Sequence, residues 1–346
     1  MKSRLFLALA LPALLLVPPL KAAGPAAVAI QVTDDHIDFR AGKALVGRYN
    51  LGSSPVKGPT AAKPYLWPVL GPGDRPLTRA WPMEKAGPGG STDHPHQKSA
   101  WFTHGDVIPE GMDLRPGETN RQAKGIDFWS EIPGHGVIAC VQVGEPKVEG
   151  DHGTVRTRNE WRTAEGRKVL DEVRTVHFYD FGDTRLFVFD IDLSASVVPI
   201  TFGDTKEGSF GVRINDAIRE EIGKKKGPGT IANADGKVGE KAVWGYPSAW
   251  CDYSGPIEGK MVGLAILADP TNQYPSCWHS RGYGLMAANP FGRAKSGFPA
   301  MKGRTDLAHL AKGEHLKLRY GILLHPGDAK EGKVGEYYER FVKLKG

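Results

Sequence analysis

The 346-residue sequence lacks the short motifs that identify the commonest enzyme classes. It contains no P-loop, no GxGxxG after a strand, and no HExxH, GxSxG or CxxC. Without them, the usual sequence support is missing for nucleotide binding, zincin-type proteolysis, serine hydrolysis and thiol redox chemistry. Function must therefore be sought in looser groups of polar and aromatic residues.

Cysteine is scarce, since the chain has only Cys140, Cys251 and Cys277. An odd number leaves at least one thiol unpaired. A bridge between Cys251 and Cys277 is compatible with an oxidising compartment. Two buried thiols explain the same residues equally well, and the sequence leaves the choice open.

Long apolar runs are absent after residue 23. The first residues are basic, the run LFLALALPALLLVPPL follows, and small residues close it at Ala22 and Ala23. This three-part order is typical of a secretory signal, and the run, which prolines interrupt, is shorter than the roughly 20 apolar residues of a membrane span. We predict a signal peptide at 1–23 and a single mature domain at 24–346, periplasmic or secreted, with no membrane span.

An excess of charge of one sign is also missing. The full chain has 45 basic and 39 acidic residues, and the signal segment accounts for three of the basic ones, which leaves 42 minus 39, or +3. The one dense basic run, at 224–226, is typical of a solvated loop. Because a nucleic-acid binder needs a basic patch or stripe, we predict no nucleic-acid partner.

Glycine and proline are abundant, at 44 and 26 residues, and they divide the chain into segments too short for long helices. A period of two, typical of half-buried strands, marks 154–161, 186–193 and 315–324, while the continuous apolar runs at 136–143 and 261–268 suit strands covered on both faces. These patterns predict an all-β antiparallel sandwich with one C-terminal helix at 335–344. Long loops are expected between 55 and 124, with a variable insertion at 106–124.

The densest group of reactive side chains is Asp93, His94, His96 and His104. One interpretation is a divalent metal site, because a His-x-His pair on extended backbone directs two imidazoles to one face and a third His adds a ligand. A second is acid–base chemistry on a substrate oxygen. A third is that the histidines satisfy backbone groups of a loop.

A second cluster lies in a glycine-flanked turn between two strands and includes Lys206, Glu207 and Arg213. Neighbouring opposite charges keep carboxylates ionised, and glycines permit a tight turn or a close approach to a ligand. A solvated hairpin explains the same letters.

Two further clusters combine aromatic and polar residues. The first holds Trp250, Asp252 and Tyr253, which suit a pyranose because its C–H groups stack on rings while carboxylates accept from its hydroxyls; core aromatics are the alternative. In the second, His279 and Arg281 could grip a carboxylate or several hydroxyls, unless the arginine is a structural ion-pair partner. Its other members are Trp278, Tyr283, Asn289 and Phe291.

The sequence resembles a known family at the segments DHPHQKSAWFTHGDV, GIDFWSE, FGDTKEGSFGVRI, VWGYPSAWCDYSGPIEG and YPSCWHSRGYGLMAANPFG. It is similar to the family of unknown function numbered 6807, whose members carry the label PmoA. The resemblance implies a secreted β-sandwich, similar to the galactose-mutarotase supersandwich, and a carbohydrate ligand. The chain departs from the family at Gln97, where a third contiguous His is common, and by a longer segment between Val107 and Gly125. The Gln weakens a metal site that depends on that position.

The leading hypothesis is an enzyme that acts on a sugar or glycoside as hydrolase, lyase or epimerase. His94 or His96 would be the acid and Glu207 or Asp252 the base, which requires the four clusters to line one pocket. The alternatives are a non-catalytic carbohydrate-binding protein and, from the label, a metal-dependent oxygenase. Predicted substrate-binding residues are Asp93, His104, Lys206, Arg213, Trp250, Tyr253, Trp278, His279, Arg281 and Asn289; metal candidates are His94, His96 and His104.

Export gives a direct test of the N-terminal assignment. A full-length protein with a C-terminal tag should yield a mature chain that starts at about residue 23 or 24, because signal peptidase cuts after small residues. N-terminal sequencing measures this. Recovery of a cytoplasmic product that retains Met1 would contradict the assignment.

Overall fold

The computed structural model describes residues 24–54, 58–59, 61–120 and 122–344. The predicted signal peptide lies outside the described residues. Two α-helices are present in this part of the chain, α1 (Glu240–Val243) and α2 (Val334–Lys343). The second confirms the helix predicted at 335–344, displaced by one residue.

Strands make up most of the remaining regular structure. They are β1 (Val28–Val32), β2 (His36–Ala41), β3 (Ala44–Asn50), β4 (Ser53–Ser54), β5 (Gly58–Pro59), β6 (Tyr65–Val69), β7 (Ala100–His104), β8 (Val107–Pro109), β9 (Val137–Val143), β10 (Lys147–Glu149), β11 (His152–Arg162), β12 (Lys168–Asp180), β13 (Arg185–Ser194), β14 (Ile200–Phe202), β15 (Gly208–Arg213), β16 (Glu221–Ile222), β17 (Lys225–Lys226), β18 (Thr230–Asn233), β19 (Trp250–Ile257), β20 (Lys260–Ala268), β21 (Cys277–Trp278), β22 (Leu285–Asn289), β23 (Ala308–Leu310) and β24 (His315–Pro326).

Two large sheets form the body of the fold. The eight-stranded sheet has the order β1-β2-β3-β6-β7-β15-β22-β21, and the eleven-stranded sheet runs β18-β19-β20-β24-β13-β12-β11-β9-β4-β5, with β10 paired to β11. Neighbouring strands are antiparallel throughout both sheets except at β4 and β9. The predicted all-β antiparallel sandwich is therefore confirmed.

The core lies between the sheets and follows the predicted alternation. On β11, Val155 and Trp161 are fully buried while Arg156 and Arg158 face solvent. On β13, the side chains of Phe187, Phe189, Ile191 and Leu193 enter the main core. The strand at 136–143 was predicted to be buried on both faces. In the structure one of its faces is only half-buried.

The outer face of the eleven-stranded sheet is covered in part by α2. Phe341 and Val334 of the helix pack with Leu186 and Val188, the outward residues of β13. This explains why both faces of β13 are apolar at its start, whereas Asp190 on the uncovered part is polar.

The segment 106–124 is an excursion whose ends meet. Val107 and Ile126 exchange two backbone hydrogen bonds of 2.9 and 2.8 Å, and the Asp106 carboxylate accepts the amides of Lys124 and Gly125. The excursion contains β8, which pairs with β14, so it is more regular than the loop predicted there. Its variability stays a prediction.

All three cysteines are buried and free in this structure, so the Cys251 to Cys277 bridge is not formed. Burial raises the pKa of the Cys140 thiol to about 11 and that of Cys277 to about 12, which keeps them in the unreactive thiol form. Among the described residues, no helix combines the length and apolar character that a membrane crossing requires.

A buried ion pair ties the two sheets together. Glu172 on β12 accepts hydrogen bonds from Trp161 Nε1 at 2.7 Å and from Arg174 Nε. Arg174 also donates to the hydroxyl of Tyr49 on the opposite sheet at 2.9 Å. All four side chains are at most 1% exposed, so the charges stabilise the fold only while they remain paired.

Glu172→Gln should lower the free energy of unfolding by about 3 kcal/mol, because it leaves the guanidinium of Arg174 buried without its counter-charge. The matched control is Glu160→Gln, since Glu160 pairs with Arg162 at the same two-residue spacing but near the surface. It should cost less than about 1 kcal/mol. Urea denaturation measures both, and equal losses would contradict the account.

Candidate functional site

Residues from three of the four predicted clusters meet at one cavity of about 350 Å³. They come together because β7, β15, β22 and β21 are neighbours in the eight-stranded sheet, and each cluster lies in a loop next to one of these strands. The cavity is lined by His94, His96, Gln97, Gln122, Ser130, Ile132, Lys206, Glu207, His279, Arg281 and Tyr283.

The loop that carries the first histidines is held by a buried arginine. Arg79 donates to the Asp93 carboxylate at 2.6 Å and to the His94 carbonyl at 3.0 Å. The amide of Gln97 also donates to the His94 carbonyl, which closes a turn. His94 has φ +43°, in the left-handed region that a side chain rarely adopts. Such strain persists where surrounding contacts fix it, as these do.

Tyr283 forms an aromatic wall of the cavity. The His94 ring stacks on it with centroids 5.2 Å apart and planes 5° from parallel. The guanidinium of Arg213 lies 4.6 Å from the Tyr283 centroid. Arg213 in turn donates to Gln97 Oε1 at 2.6 Å and to Asp93 at 2.8 Å, so it fixes the wall and the turn together.

His279 is a buried imidazole with a defined tautomer. Its Nδ1 lies 2.8 Å from the carbonyl oxygen of Lys206; because a carbonyl can only accept, Nδ1 carries the proton and Nε2 carries the lone pair. Burial, together with the charges of Lys206 and Arg281, lowers the pKa of His279 to about 3. The ring is therefore neutral at pH 7 and offers a proton acceptor.

Glu207 supplies a carboxyl group that the protein leaves uncommitted. Its side chain has no hydrogen-bond partner in the described part of the chain, although its backbone oxygen accepts from Gly105 at 2.7 Å. Burial raises the pKa of Glu207, against the opposing charges of Lys206 and His94. A carboxyl with a raised pKa keeps its proton to a higher pH than an ordinary carboxyl, and its free oxygens can donate or accept a proton in contact with a ligand.

His96 lies beside a buried network of charges. Lys63, which is wholly buried, donates to Glu131 at 2.6 Å, and Lys98 donates to the other oxygen of the same carboxylate. Burial and the nearby charge of Lys63 lower the pKa of His96 to about 3. His96 is therefore a second neutral imidazole in the cavity, and its neutrality depends on residues from distant loops.

Several residues of the site were not predicted from the sequence. Arg79 and Lys63, which support the cavity without lining it, come from proline-rich loops without periodicity, so nothing in their surroundings marked them. Tyr283 was named in the fourth cluster but was not assigned a role at the site. Three further lining residues were not named as candidates: Gln122, Ser130 and Ile132.

Asp252 does not line the cavity, so the structure does not bring this predicted base together with the other site residues. It is fully buried and lies 2.7 Å from Nε2 of His325, which is also fully buried. Burial alone would lower the pKa of His325, but the charge of Asp252 raises it above its ordinary value. The two residues form an internal ion pair on β19 and β24, away from any ligand.

The other aromatic and amide candidates of the third and fourth clusters are also structural. Trp278 donates Nε1–H to the Ser248 carbonyl at 3.1 Å, and the Tyr253 hydroxyl donates to the Gly282 carbonyl at 2.8 Å. Asn289 donates to the Thr205 carbonyl at 2.9 Å. Trp250 packs beside the group under α2. These four side chains are thus structural, and none of them lines the cavity.

His104 cannot complete a metal site with His94 and His96. It is fully buried, its Nε2–H donates to the Gly203 carbonyl at 2.8 Å, and its Nδ1 lies 3.3 Å from Ser209 Oγ. Both ring nitrogens are therefore committed within the protein. Within the described ranges, no group of three or more His, Cys, Asp and Glu side chains is placed to hold a metal ion. The predicted metal triad does not fit.

A model of a family of unknown function, DUF6807, matches residues 36–339. A search of curated proteins finds no match. The family match covers most of the chain and agrees with the resemblance drawn from the motifs.

Solved structures of low similarity include a galactose mutarotase related enzyme from Lactobacillus acidophilus, at 10% identity and TM-score 0.35, over 86% of this chain and 97% of that one. A beta-arabinopyranosidase is 10% identical with TM-score 0.32 over 89% of this chain. A glycoside hydrolase family 97 enzyme from Pseudoalteromonas is 10% identical with TM-score 0.33 over 88% of it. The chain spans 40% and 35% of the length of the last two.

The neutral state of His279 predicts a pH dependence of stability. Its folded pKa, about 3, lies below the unfolded value of 6.5, so the unfolded chain binds the additional proton as the pH falls below 6.5 and the folded protein loses stability there. At pH 4.5 this loss should reach about 2 to 3 kcal/mol.

His279→Asn, which can still donate to the Lys206 carbonyl, should remove that share of the loss between pH 7 and pH 4.5 in denaturant titrations. The control is His309→Asn, which removes an exposed imidazole and should leave the profile unchanged. Coincident profiles for the wild type and His279→Asn would show that His279 is not held neutral.

Proposed function

We propose, from the premise that the chain belongs to the family of unknown function DUF6807, that it is an enzyme that transforms a sugar or glycoside by proton transfer in this cavity. The family description names no activity, so the proposal depends on the site. The observation that carries the proposal is that one cavity contains two groups with shifted pKa values: Glu207, whose pKa is raised, and His279, whose pKa is lowered.

The two groups have complementary roles. Catalysis by proton transfer needs an acid and a base whose pKa values are moved apart by their surroundings. The raised pKa of Glu207 suits it to donate a proton, and His279, whose Nε2 is unprotonated at pH 7, is the weak base of the pair. The carbonyl that orients His279 belongs to Lys206, the residue before Glu207, so one turn positions both.

The lining favours a sugar over an apolar ligand. Its polar side chains offer donors and acceptors of hydrogen bonds from several directions, as a ring of hydroxyls requires, and His94 and Tyr283 add a flat aromatic surface. A volume of about 350 Å³ lies at the lower end of small-molecule pockets, which suits a monosaccharide or the terminal residue of a glycoside.

In the proposed reaction, a substrate hydroxyl or C–H proton passes to His279 Nε2 while the Glu207 carboxyl protonates a substrate oxygen. Gln122 orients hydroxyl groups, and Arg281 holds a polar group of the substrate. Hydrolysis, elimination and epimerisation all use such a pair, and the choice among them depends on the substrate. We also propose that the protein acts outside the cytoplasm, after removal of 1–23.

The alternative is a carbohydrate-binding protein without catalysis. The stacked pair of His94 and Tyr283 supports it, since a ring surface binds sugar C–H groups without any proton transfer. In that case substitutions at Glu207 would change the affinity for the sugar, and there would be no catalytic rate to measure.

Glu207→Gln should lower the rate by about 10²- to 10⁴-fold, because it removes the proton of the acid and keeps its shape. A panel of free sugars and aryl glycosides, followed by NMR in deuterated buffer, detects anomer exchange, C–H exchange and bond cleavage in one measurement.

Asp252→Asn is the matched control. It removes a carboxylate that is buried with His325 and does not line the cavity. It should lower the melting temperature while the folded protein keeps its rate. Loss of rate in Asp252→Asn with retention in Glu207→Gln would overturn the proposed roles. Sugar binding with no turnover by the wild type would favour the binding protein.

A further inference from the structure

The charged groups that line the cavity are unevenly balanced. Lys206 and Arg281 are cations, and Glu207 is the one carboxylate among the lining residues. Two cations therefore face a single carboxylate at the wall of the cavity.

Neither cation is fully engaged by the protein. The ammonium of Lys206 has no hydrogen-bond or ion-pair partner in the described ranges of the chain, and the residue is exposed. Arg281 Nε lies 3.2 Å from Oε1 of Glu240 but outside hydrogen-bonding geometry. The terminal nitrogens of Arg281 have no hydrogen-bond partner within the described residues, and the guanidinium lies 5.9 Å from the centroid of the Tyr283 ring.

The groups behind the cavity add positive charge. Asp93 is shared by Arg79 and Arg213. Glu131 is shared in the same way by two lysines, Lys63 and Lys98. Each set carries two cations for one carboxylate.

Two nearby acids offset part of this excess, but neither of them lines the cavity. Asp127 accepts the backbone amides of Trp129 and Ser130 at 2.7 and 3.0 Å, so its charge is directed at that turn. Glu240 offsets part of the charge of Arg281 through the 3.2 Å contact of its Oε1, and its Oε2 accepts the Gly282 amide. The low proton affinity of His279 agrees with a positive surrounding, because Lys206 and Arg281 contribute to it.

From this arrangement we infer that the cavity takes a sugar bearing a carboxylate, such as a uronic acid, with the carboxylate against Lys206 and Arg281. The inference rests on the proposed function and specifies its substrate class. A planar guanidinium with free terminal nitrogens matches a carboxylate by two parallel hydrogen bonds. The neutral imidazoles and Glu207 then face the ring of the sugar.

Isothermal titration calorimetry with matched pairs tests this inference: glucuronate against glucose, and galacturonate against galactose. The uronate of at least one pair should bind about tenfold more tightly than its neutral partner, the increment of a charge-assisted hydrogen bond. Lys206→Gln and Arg281→Gln should each abolish this preference. The control is Lys312→Gln, in an exposed turn outside the cavity lining, which should keep it.

Three other outcomes would each overturn the inference. Equal binding of neutral and acidic sugars, or tighter binding of the neutral ones, would overturn the carboxylate inference and leave the proposed function standing. Binding of glucose 6-sulfate without binding of either uronate would also overturn it, in favour of a sulfate ester. Failure of every sugar to bind would overturn both the inference and the proposed function.

Discussion

The carboxylate of Asp93 is the contact on which the cavity depends. It accepts hydrogen bonds from Arg79 and Arg213 at 2.6 and 2.8 Å, and its second oxygen lies 3.1 Å from Nδ1 of His94. Burial alone would raise its pKa, but the hydrogen bonds of His94 and Ser91 and the charge of Arg213 hold it well below the ordinary range. This single group joins the loop before β7 to the end of β15, and the other lining residues are arranged around that junction.

The contrast between Glu207 and Asp252 shows how burial separates two similar predictions. Both carboxylates lie in glycine- and aromatic-rich motifs, and the sequence made either a candidate base. Asp252 is hydrogen-bonded to the buried imidazole of His325, whereas the carboxyl oxygens of Glu207 are free in the cavity. The polarity of a motif therefore does not distinguish a carboxylate that stabilises the fold from one that faces a ligand. The distinction depends on which side chain, if any, contacts the carboxylate in the folded protein.

Sequence periodicity predicted the sandwich and the C-terminal helix. Burial of one face of a strand or helix produces a regular spacing of apolar residues, as at Val155 and Trp161 in a strand and at Phe341 in the helix. Local clusters of polar and aromatic residues selected His94, His96, Glu207 and His279, which lie in short motifs next to strands. The sequence could not place Trp250 or His104 correctly, since their roles depend on partners far away in sequence. The supporting cations Arg79 and Lys63 were missed for the same reason. The prediction that all four clusters line a single pocket thus fails for the cluster that contains Asp252.

The central claim is that the cavity holds a neutral His279 with a free Nε2 facing a sugar. The most direct test is the ¹⁵N NMR signal of the His279 ring at pH 7, assigned with His279→Asn, before and after addition of glucuronate or galacturonate. The account predicts a protonated Nδ1 and an unprotonated Nε2 in the free protein, with the Nε2 resonance shifting when the sugar binds. A doubly protonated ring, or an Nε2 signal unmoved by a sugar that calorimetry shows to bind, would contradict it.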